Sequence, residues 1–337
     1  MTVTETKEKT VHSELGTTVH VSVSPHIRHK DSTATIMRDV MIALAPACIM
    51  GVYTFGWRVL AILLVTVASC VLTELIYQKL MKLPVTVGDL SAAVTGMIIT
   101  VNMPLLPWEH IWMPALGGVF AILVVKQLFG GIGRNIVNPA LAARVFLFMS
   151  FPGAMASFPA RADFSLPYAD AVATATPLSA LKTGAPLSDT VLDLFLGTVG
   201  GCIGEVSALL LLLGGIYLLC RRVITWHIPV SYLGTVALLT LLFPRAGGRL
   251  DSMLIELCAG GLILGAFFMA TDYVTSPVTR TGRLIYGVLC GLFTVLIRYF
   301  GAYAEGVSFA ILIANLLVYY IDRFTRPTPF GKKGGAA

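Results

Sequence analysis

Long apolar runs alternate with short polar stretches along most of the chain. A helix that crosses a bilayer needs about 20 mostly apolar residues, and ten such runs occur in the sequence. The pattern therefore predicts an all-α polytopic membrane protein with about ten transmembrane helices. The predicted spans are 39–56, 58–79, 87–106, 110–129, 137–153, 191–220, 224–243, 253–271, 283–301 and 304–322.

One polar loop is far longer than the other connections, and long loops in a compact protein usually carry a function. It separates two sets of five predicted spans. The predicted parts are an N-terminal segment, a first membrane half, the loop, a second membrane half and a tail. Their bounds are 1–38, 39–153, 154–190, 191–322 and 323–337.

An odd number of spans in each half means that any internal repeat must be inverted in the membrane. The segment "GMIITVNMP" from Gly96 weakly resembles "GAFFMATDYVTSP" from Gly265. A 5+5 inverted repeat is therefore predicted, with chance similarity between two apolar helices as the alternative. In such folds interrupted helices meet near the midplane, and their freed backbone groups line a site.

The distribution of basic residues predicts the topology. Cytoplasmic segments carry an excess of Lys and Arg, and most of the 24 such residues fall inside when both termini are cytoplasmic. The loop 154–190 then faces the extracytoplasmic side. The N-terminal segment lacks the short apolar core of a cleavable signal peptide.

Composition agrees with a membrane protein. The 337 residues are 56% hydrophobic and 12% charged, with a mean hydropathy of +0.82, and this charge is about half that of a soluble domain. The net charge of +6 follows from the topology and does not indicate nucleic acid. The six cysteines stand singly in apolar segments, without a C-x-x-C pair that could ligate zinc or an iron–sulfur cluster, so any iron–sulfur chemistry would belong to a partner.

A few acidic residues lie within or beside the predicted spans. Glu205, in "GGCIGEVSALLLLLGG", is predicted deep in the sixth span, where an unpaired carboxylate costs several kcal/mol. It is a candidate for an ion or proton path, and a structural carboxyl hydrogen-bonded to a neighbouring helix is the alternative. Glu74, Glu256 and Glu305 lie close to span ends and are interpreted as interfacial residues.

Two polar turns lie at membrane edges. In "FGGIGRNIVNPALAARVF" a glycine-rich backbone leads into a helix beside arginines, which suits an anion such as a phosphate. A structural re-entrant turn explains it equally well. In "ATDYVTSPVTRTG" helix capping is the alternative to a site. The candidate residues of the two turns are Gly130, Gly131, Arg134, Asn138, Asp272, Thr275 and Ser276.

Several motifs in register resemble the RnfD/NqrB family of ten-span membrane subunits, and the RnfD branch more closely. The resemblance covers about residues 24 to 325. The motifs are "SPHIRHKDSTATIMRDVMIALAP", "FGGIGRNIVNPALAAR", "DAVATATPL", "GCIGEVSAL" and "FMATDYVTSPVTRTG".

The resemblance implies a covalent FMN, attached through its phosphate to a threonine in a motif usually written [ST]-G-A-T. The matching residues here are Ala173, Thr174, Ala175 and Thr176, preceded by Asp170. The last position matches, so Thr176 is the implied flavin carrier. The first two positions depart from the motif, and Thr174 is the nearby substitute.

The chemistry of the loop is compatible with this attachment. A phosphoester needs a hydroxyl, and the loop 154–190 contains Thr and Ser but no His or Cys. Pro177 biases Thr176 towards an extended backbone, which is expected to present an exposed side chain to a modifying enzyme. The alternative is that Thr174 and Thr176 only keep the loop soluble.

The resemblance implies an electron-carrying membrane subunit of an Rnf-type complex, not catalytic alone. Electrons between reduced ferredoxin and NAD⁺ would pass through the flavin, coupled to Na⁺ or H⁺ crossing a prokaryotic inner membrane. It also implies a second, non-covalent flavin (riboflavin or FMN), with the two polar turns as candidate lining.

Implied partners are RnfG-like, RnfA/RnfE-like and RnfC/RnfB-like subunits and membrane lipid. The rivals are a passive channel or secondary transporter, and a cofactor-free anchor of a redox complex.

Overall fold

The computed structural model describes residues 9–12, 18–21, 31–158, 176–184, 190–197, 200–205, 207–245, 248–301 and 303–327. Two short antiparallel strands, β1 (Lys9–His12) and β2 (Thr18–Val21), form a hairpin in the N-terminal segment. All other regular structure in the described residues is helical. The all-α membrane fold class is confirmed, while the hairpin was not predicted.

The first half begins earlier than predicted. Helix α1 starts at Thr33 instead of residue 39, because the Ser32 side chain caps it by accepting a hydrogen bond from the Thr35 backbone nitrogen at 3.3 Å. The helices of this half are α1 (Thr33–Phe55), α2 (Arg58–Leu80), α3 (Ser91–Val101), α4 (Trp112–Val119) with its π-helical continuation π1 (Phe120–Gln127), α5 (Pro139–Ser150) and α6 (Pro152–Met155).

Two short helices, α7 (Pro177–Thr183) and α8 (Val191–Leu196), come next in the described part of the chain. The second half follows them. Its helices are α9 (Ala208–Cys220), α10 (His227–Leu242), α11 (Arg249–Cys258), α12 (Leu262–Leu264) with its π-helical continuation π2 (Gly265–Met269), α13 (Arg280–Phe300) and α14 (Val307–Thr325).

Helix lengths support several membrane crossings. Five helical segments of the described residues are long and apolar enough to span a bilayer, namely α1, α2, Trp108–Gln127, α13 and α14. A sixth would be α11 with Leu262–Met269, which are bent by 61° at their break. Helices α3, α5, α9 and α10 are apolar but shorter, at 10–17 residues. The protein is therefore a multi-pass membrane protein, and the count of ten spans and the inverted repeat stay predictions.

The predicted sixth span, 191–220, is wrong as a continuous helix. Helix α8 ends where Gly197 adopts a φ of 98°, and α9 begins only after Ser207, whose side chain caps it. The described residues between them are not helical. A Cβ on Gly204 would lie 2.3 Å from the Cβ of Val101, so this backbone packs directly against the end of α3. Hydropathy could not predict the interruption, because the apolar composition continues through it.

The interrupted segments satisfy each other's backbone groups. The Ile203 nitrogen donates to the Met103 carbonyl at 2.9 Å, and the Gly204 nitrogen donates to the Val101 carbonyl at 2.8 Å. Backbone that leaves a helix at membrane depth needs such partners. The end of α3 and the segment before α9 therefore meet inside the protein.

The predicted eighth span, 253–271, is also interrupted. Gly260 and Gly261 have φ values of +68° and +63°, a conformation that favours glycine. The Arg298 side chain from α13 donates to the carbonyls of Ala259 at 3.1 Å and Gly260 at 3.3 Å. This buried guanidinium thus replaces the helical partners that the break removes.

Candidate functional site

Thr176 precedes α7 and caps it. Its backbone is extended, with φ −66° and ψ 151°, as Pro177 predicts. Its Oγ1 accepts a hydrogen bond from the Ser179 nitrogen at 3.3 Å. The expectation of an exposed side chain is wrong, since only 6% of the residue is exposed. Tertiary packing against the second half covers it, which the loop's polar composition does not reveal.

Thr176 instead lines a partly open cavity of about 480 Å³, called the loop cavity below. Phe148 and Tyr303 meet edge to face at 4.8 Å in its wall, and the Tyr303 and Phe309 rings stack at 5.6 Å. Its volume lies within the roughly 300–1,000 Å³ of small-molecule sites. Among the described residues, its polar lining includes Arg144, Thr176, Ser179, Lys182, Thr183, Glu305 and Ser308.

Two cations from the described residues lie at the loop cavity. Lys182, on α7, donates from Nζ to the Gly301 carbonyl at 2.5 Å. The pKa of Lys182 is lowered, first by desolvation and then by the nearby Arg245 guanidinium. Arg144, on α5, is the second cation. The cavity therefore combines aromatic walls, hydroxyls and positive charge.

Arg144 joins the two halves of the protein. Its Nη1 donates to Asn102 Oδ1 at 2.9 Å and to Ser308 Oγ at 2.8 Å, so it links the end of α3 to α14. Its Nη2 pairs with Glu305 Oε2 at 2.5 Å. A buried guanidinium with this many partners is fixed in position.

Glu205 lies in the non-helical segment before α9, and not in the interior of a helix as predicted. The interrupted helix described above places it there. Its side chain is only 3% exposed, and its Oε1 lies 3.5 Å from Arg144 Nη1. The sequence left open that Glu205 is a structural residue hydrogen-bonded to a neighbouring helix. Its Oε1 makes no such hydrogen bond among the described residues.

A second, small cavity of about 20 Å³ connects these groups. Thr176 and Glu305 line both this small cavity and the loop cavity, and Glu205 lines the small one. The structure thus brings together two predicted residues, Thr176 and Glu205, that are 29 positions apart. The predicted Asp170 and Thr174 lie outside the described residues.

The two polar turns meet, as expected for a shared site. Asn138 donates from Nδ2 to the Met269 carbonyl at 3.2 Å, and it caps α5. Asn138 and Asp272 both line a cavity of about 110 Å³, called the turn cavity below, together with Lys126. Thr275 donates to Asp272 Oδ2 at 3.0 Å.

The remaining candidate residues of the turns do not line the turn cavity. Thr275 and Ser276 are buried beside it. Gly130 and Gly131 have positive φ values of 107° and 88°, and they shape an outer turn. Arg134 is exposed, and a Cβ on Gly130 would lie 2.8 Å from its Cδ.

Two buried ion pairs were missed by the sequence analysis. Glu74 is 1% exposed and pairs with Lys126 at 2.9 Å, and Glu256 is fully buried and pairs with Arg298 at 2.8 Å. Their interpretation as interfacial residues is wrong. Lone basic residues within the apolar runs "FAILVVKQ" and "LFTVLIRYF" were the available signal. The interpretation as an interfacial residue fits Glu305 better, because its side chain is 18% exposed.

Comparison with known proteins settles the family. The model of the NQR2, RnfD, RnfE family matches residues 20–331. The chain belongs to this family. The resemblance inferred from the sequence motifs is therefore confirmed.

Relatives from three bacteria cover nearly the whole chain, and each is named as the D subunit of its complex. The relative from the Na⁺-translocating ferredoxin:NAD⁺ oxidoreductase complex of Acetobacterium woodii is 49% identical over 315 residues, or 92% of this chain and 95% of the relative. The one from the proton-translocating ferredoxin:NAD⁺ oxidoreductase complex of Clostridium ljungdahlii is 40% identical over 93% of this chain and 96% of the relative. The one from the ion-translocating oxidoreductase complex of Escherichia coli K12 is 36% identical over 94% and 99%.

Proposed function

We propose that this protein is the RnfD-type membrane component of an Rnf-type complex and carries electrons through an FMN esterified to Thr176. Electron flow between reduced ferredoxin and NAD⁺ is coupled to Na⁺ or H⁺ translocation. The family and the names of the relatives support the assignment to a multi-subunit oxidoreductase. The observation that carries the flavin is the Thr176 hydroxyl at an aromatic-walled cavity of about 480 Å³.

The residues of the loop cavity fit the group. A phosphoester at Thr176 keeps Oγ1 as an oxygen that accepts from the Ser179 nitrogen, so the cap of α7 is preserved. Lys182 offsets part of the negative charge of a phosphate, and the Arg144 guanidinium, which Glu305 and Glu205 share, is the second positive group at the cavity. Phe148 and Tyr303 supply apolar ring contacts. When bound, the flavin supplies the electron-transfer chemistry, and the protein fixes its position and potential.

Flavin attachment is tested on a denaturing gel under ultraviolet light. The wild-type band is expected to fluoresce, and mass spectrometry is expected to find an added FMN mass on the peptide with Thr176. Thr176→Ala should give a dark band. Thr183→Ala removes another hydroxyl from the same cavity and should stay bright. Fluorescence retained in Thr176→Ala and lost in Thr174→Ala would move the attachment to Thr174.

The same gel separates the rival functions. A passive channel, a secondary transporter and a cofactor-free anchor all predict a dark wild-type band. The predicted inverted repeat would favour a transporter fold, but a transporter does not require an aromatic-walled cavity beside a loop threonine.

The second, non-covalent flavin has weaker support. The turn cavity offers polar contacts from Asn138, Asp272 and Lys126. Its volume of about 110 Å³ is smaller than the usual ligand pocket. The described conformation therefore does not fit a whole flavin, and no electron-transfer step is assigned to these turns.

Glu205 remains the candidate for the ion path. Its buried position at the small cavity supports this role. A Glu205→Gln variant is expected to reduce ion transport in reconstituted vesicles. Unchanged transport would remove Glu205 from the path.

The proposed location is the inner membrane, with both termini in the cytoplasm and α7 on the extracytoplasmic side. RnfG-like, RnfA/RnfE-like and RnfC/RnfB-like proteins are the proposed partners. A Lys182→Cys variant should react with an impermeant thiol reagent in intact cells. Protection until lysis would invert the topology.

A further inference from the structure

Two acidic residues share one cation beneath the loop cavity. Arg144 Nη2 lies 2.5 Å from Glu305 Oε2, and Arg144 Nη1 lies 3.5 Å from Glu205 Oε1. If both carboxyls are ionised, the trio carries one uncompensated negative charge. Buried charge without compensation is costly, and the cost falls when a carboxyl binds a proton.

Glu205 is the member with an unsatisfied oxygen. Its Oε1 is buried and accepts no hydrogen bond from any described residue. A Cβ on Gly261 would lie 2.1 Å from this oxygen, so it faces the break between α11 and α12. The adjoining small cavity of about 20 Å³ has room for about one water molecule. A water in this cavity would lie beside Glu205 and could serve as a proton donor.

Four charged or titratable side chains face Glu205 from the surrounding elements. Arg144 comes from α5, Cys202 from the same segment, Glu305 from the residues before α14, and Arg298 from α13. Arg298 is engaged by Glu256 at 2.8 Å. Of the described cations, only Arg144 forms an ion pair with Glu205.

We propose that Glu205 binds one proton when an electron enters the loop cavity, and that Arg144 links the two events. The inference rests on the proposed function, because that function supplies the electron. Arg144 lines the loop cavity, so added negative charge there competes with Glu205 for the guanidinium. For each electron that the reductant gives to the flavin, one O–H bond forms at Glu205 Oε1, while one O–H bond of a hydronium ion or water molecule breaks and releases water or hydroxide to the solvent. No other bond of the protein forms or breaks.

The surroundings favour a proton over Na⁺ at this oxygen. Hard cations are held by several oxygen ligands. Glu305 brings a second carboxylate within 4.8 Å, but the Arg144 guanidinium already pairs with both carboxylates, the third nearby group is the Cys202 sulfur, and the cavity admits about one water. The experiment must still be able to detect Na⁺ binding at Glu205, because that result would contradict the choice of a proton.

The test is a redox titration of the flavin in the purified complex, with dithionite as reductant and at several pH values. If one proton is bound with each electron, the reduction potential of the flavin shifts by 59 mV for each tenfold change in proton concentration. The slope in Glu205→Gln should therefore be smaller than in wild type by up to 59 mV per pH unit. Glu109→Gln, the same change at an exposed residue, should leave the slope unchanged. Equal slopes in wild type and Glu205→Gln would overturn the proposal.

A second arm varies Na⁺ at constant pH. A potential that shifts with Na⁺ in wild type but not in Glu205→Gln would overturn the choice of a proton. The fluorescence of the band on the denaturing gel distinguishes failure of the proposed function from failure of the proposed role of Glu205. A dark wild-type band refutes the proposed function, while a bright band with equal slopes refutes only the role of Glu205.

Wild-type protein provides a measurement that does not depend on the folding of a variant. The reduced-minus-oxidised infrared spectrum should contain a new protonated carboxyl band that shifts in D₂O. Glu205→Asp keeps the carboxyl group and should move this band. A wild-type spectrum without such a band would contradict the proposal.

Discussion

Replacing Lys126 by methionine should strongly destabilise the first half. The Lys126 ammonium donates to both carboxylate oxygens of Glu74, at 2.9 and 3.0 Å, and to Ser91 Oγ at 2.6 Å. Removing one partner of a buried pair costs about 3–5 kcal/mol, since a charge stays behind uncompensated. Glu74 would still accept from Gln78 at 3.3 Å and Gln127 at 2.9 Å. The expected loss is therefore at the lower end, about 3 kcal/mol.

Unfolding by SDS in mixed micelles, followed by the fluorescence of the four tryptophans, measures this loss. Lys79→Met makes the same change at an exposed residue of α2 and should alter stability by no more than about 0.5 kcal/mol. The double variant Glu74→Gln with Lys126→Met should be more stable than the sum of the single effects predicts, by about 1–3 kcal/mol. Additive effects, or a Lys126→Met loss no larger than that of Lys79→Met, would refute the reasoning.

Three further predictions concern the second half and the loop. Arg298→Met should lower the unfolding free energy by about 3–5 kcal/mol in the same SDS assay, because Glu256 and the carbonyls at the helix break lose their hydrogen-bond donor. A decrease below about 1 kcal/mol would contradict this role of Arg298. Because the pKa of Lys182 is lowered, the unfolding free energy should rise as pH increases from that pKa towards about 10.4. Arg245→Gln should raise the Lys182 pKa, which the pH dependence of Lys182 acetylation, read by mass spectrometry, measures. An unchanged profile would exclude Arg245 as a cause of the lowered pKa. Gly291→Leu should separate α13 from α10 and lower the melting temperature, because a Cβ already falls within 2.7 Å of the facing helix; an unchanged melting temperature would show that the contact can relax.

The sequence predicted features that depend on local chemistry. Apolar runs identified most of the helices, and Pro177 fixed the extended backbone at Thr176. The family was recognisable because linked motifs kept their order. These features are encoded within a few residues of where they appear.

Features that depend on distant partners were not predictable in the same way. Glu74 and Lys126 are 52 positions apart, and neither residue's neighbours reveal the other. The non-helical segment around Glu205 looks apolar in sequence, and only its packing against α3 explains the interruption. Thr176 looked exposed, since the residues that cover it come from elsewhere in the chain.

The burial of Thr176 has a consequence for biosynthesis. Part of the cavity wall comes from Tyr303 and Phe309, which are among the last parts of the chain to be made. If Thr176 carries the proposed flavin, a modifying enzyme reaches the hydroxyl most easily before Tyr303 and Phe309 have docked beside it. Slow insertion of the last helix would then lengthen the interval in which the hydroxyl is uncovered.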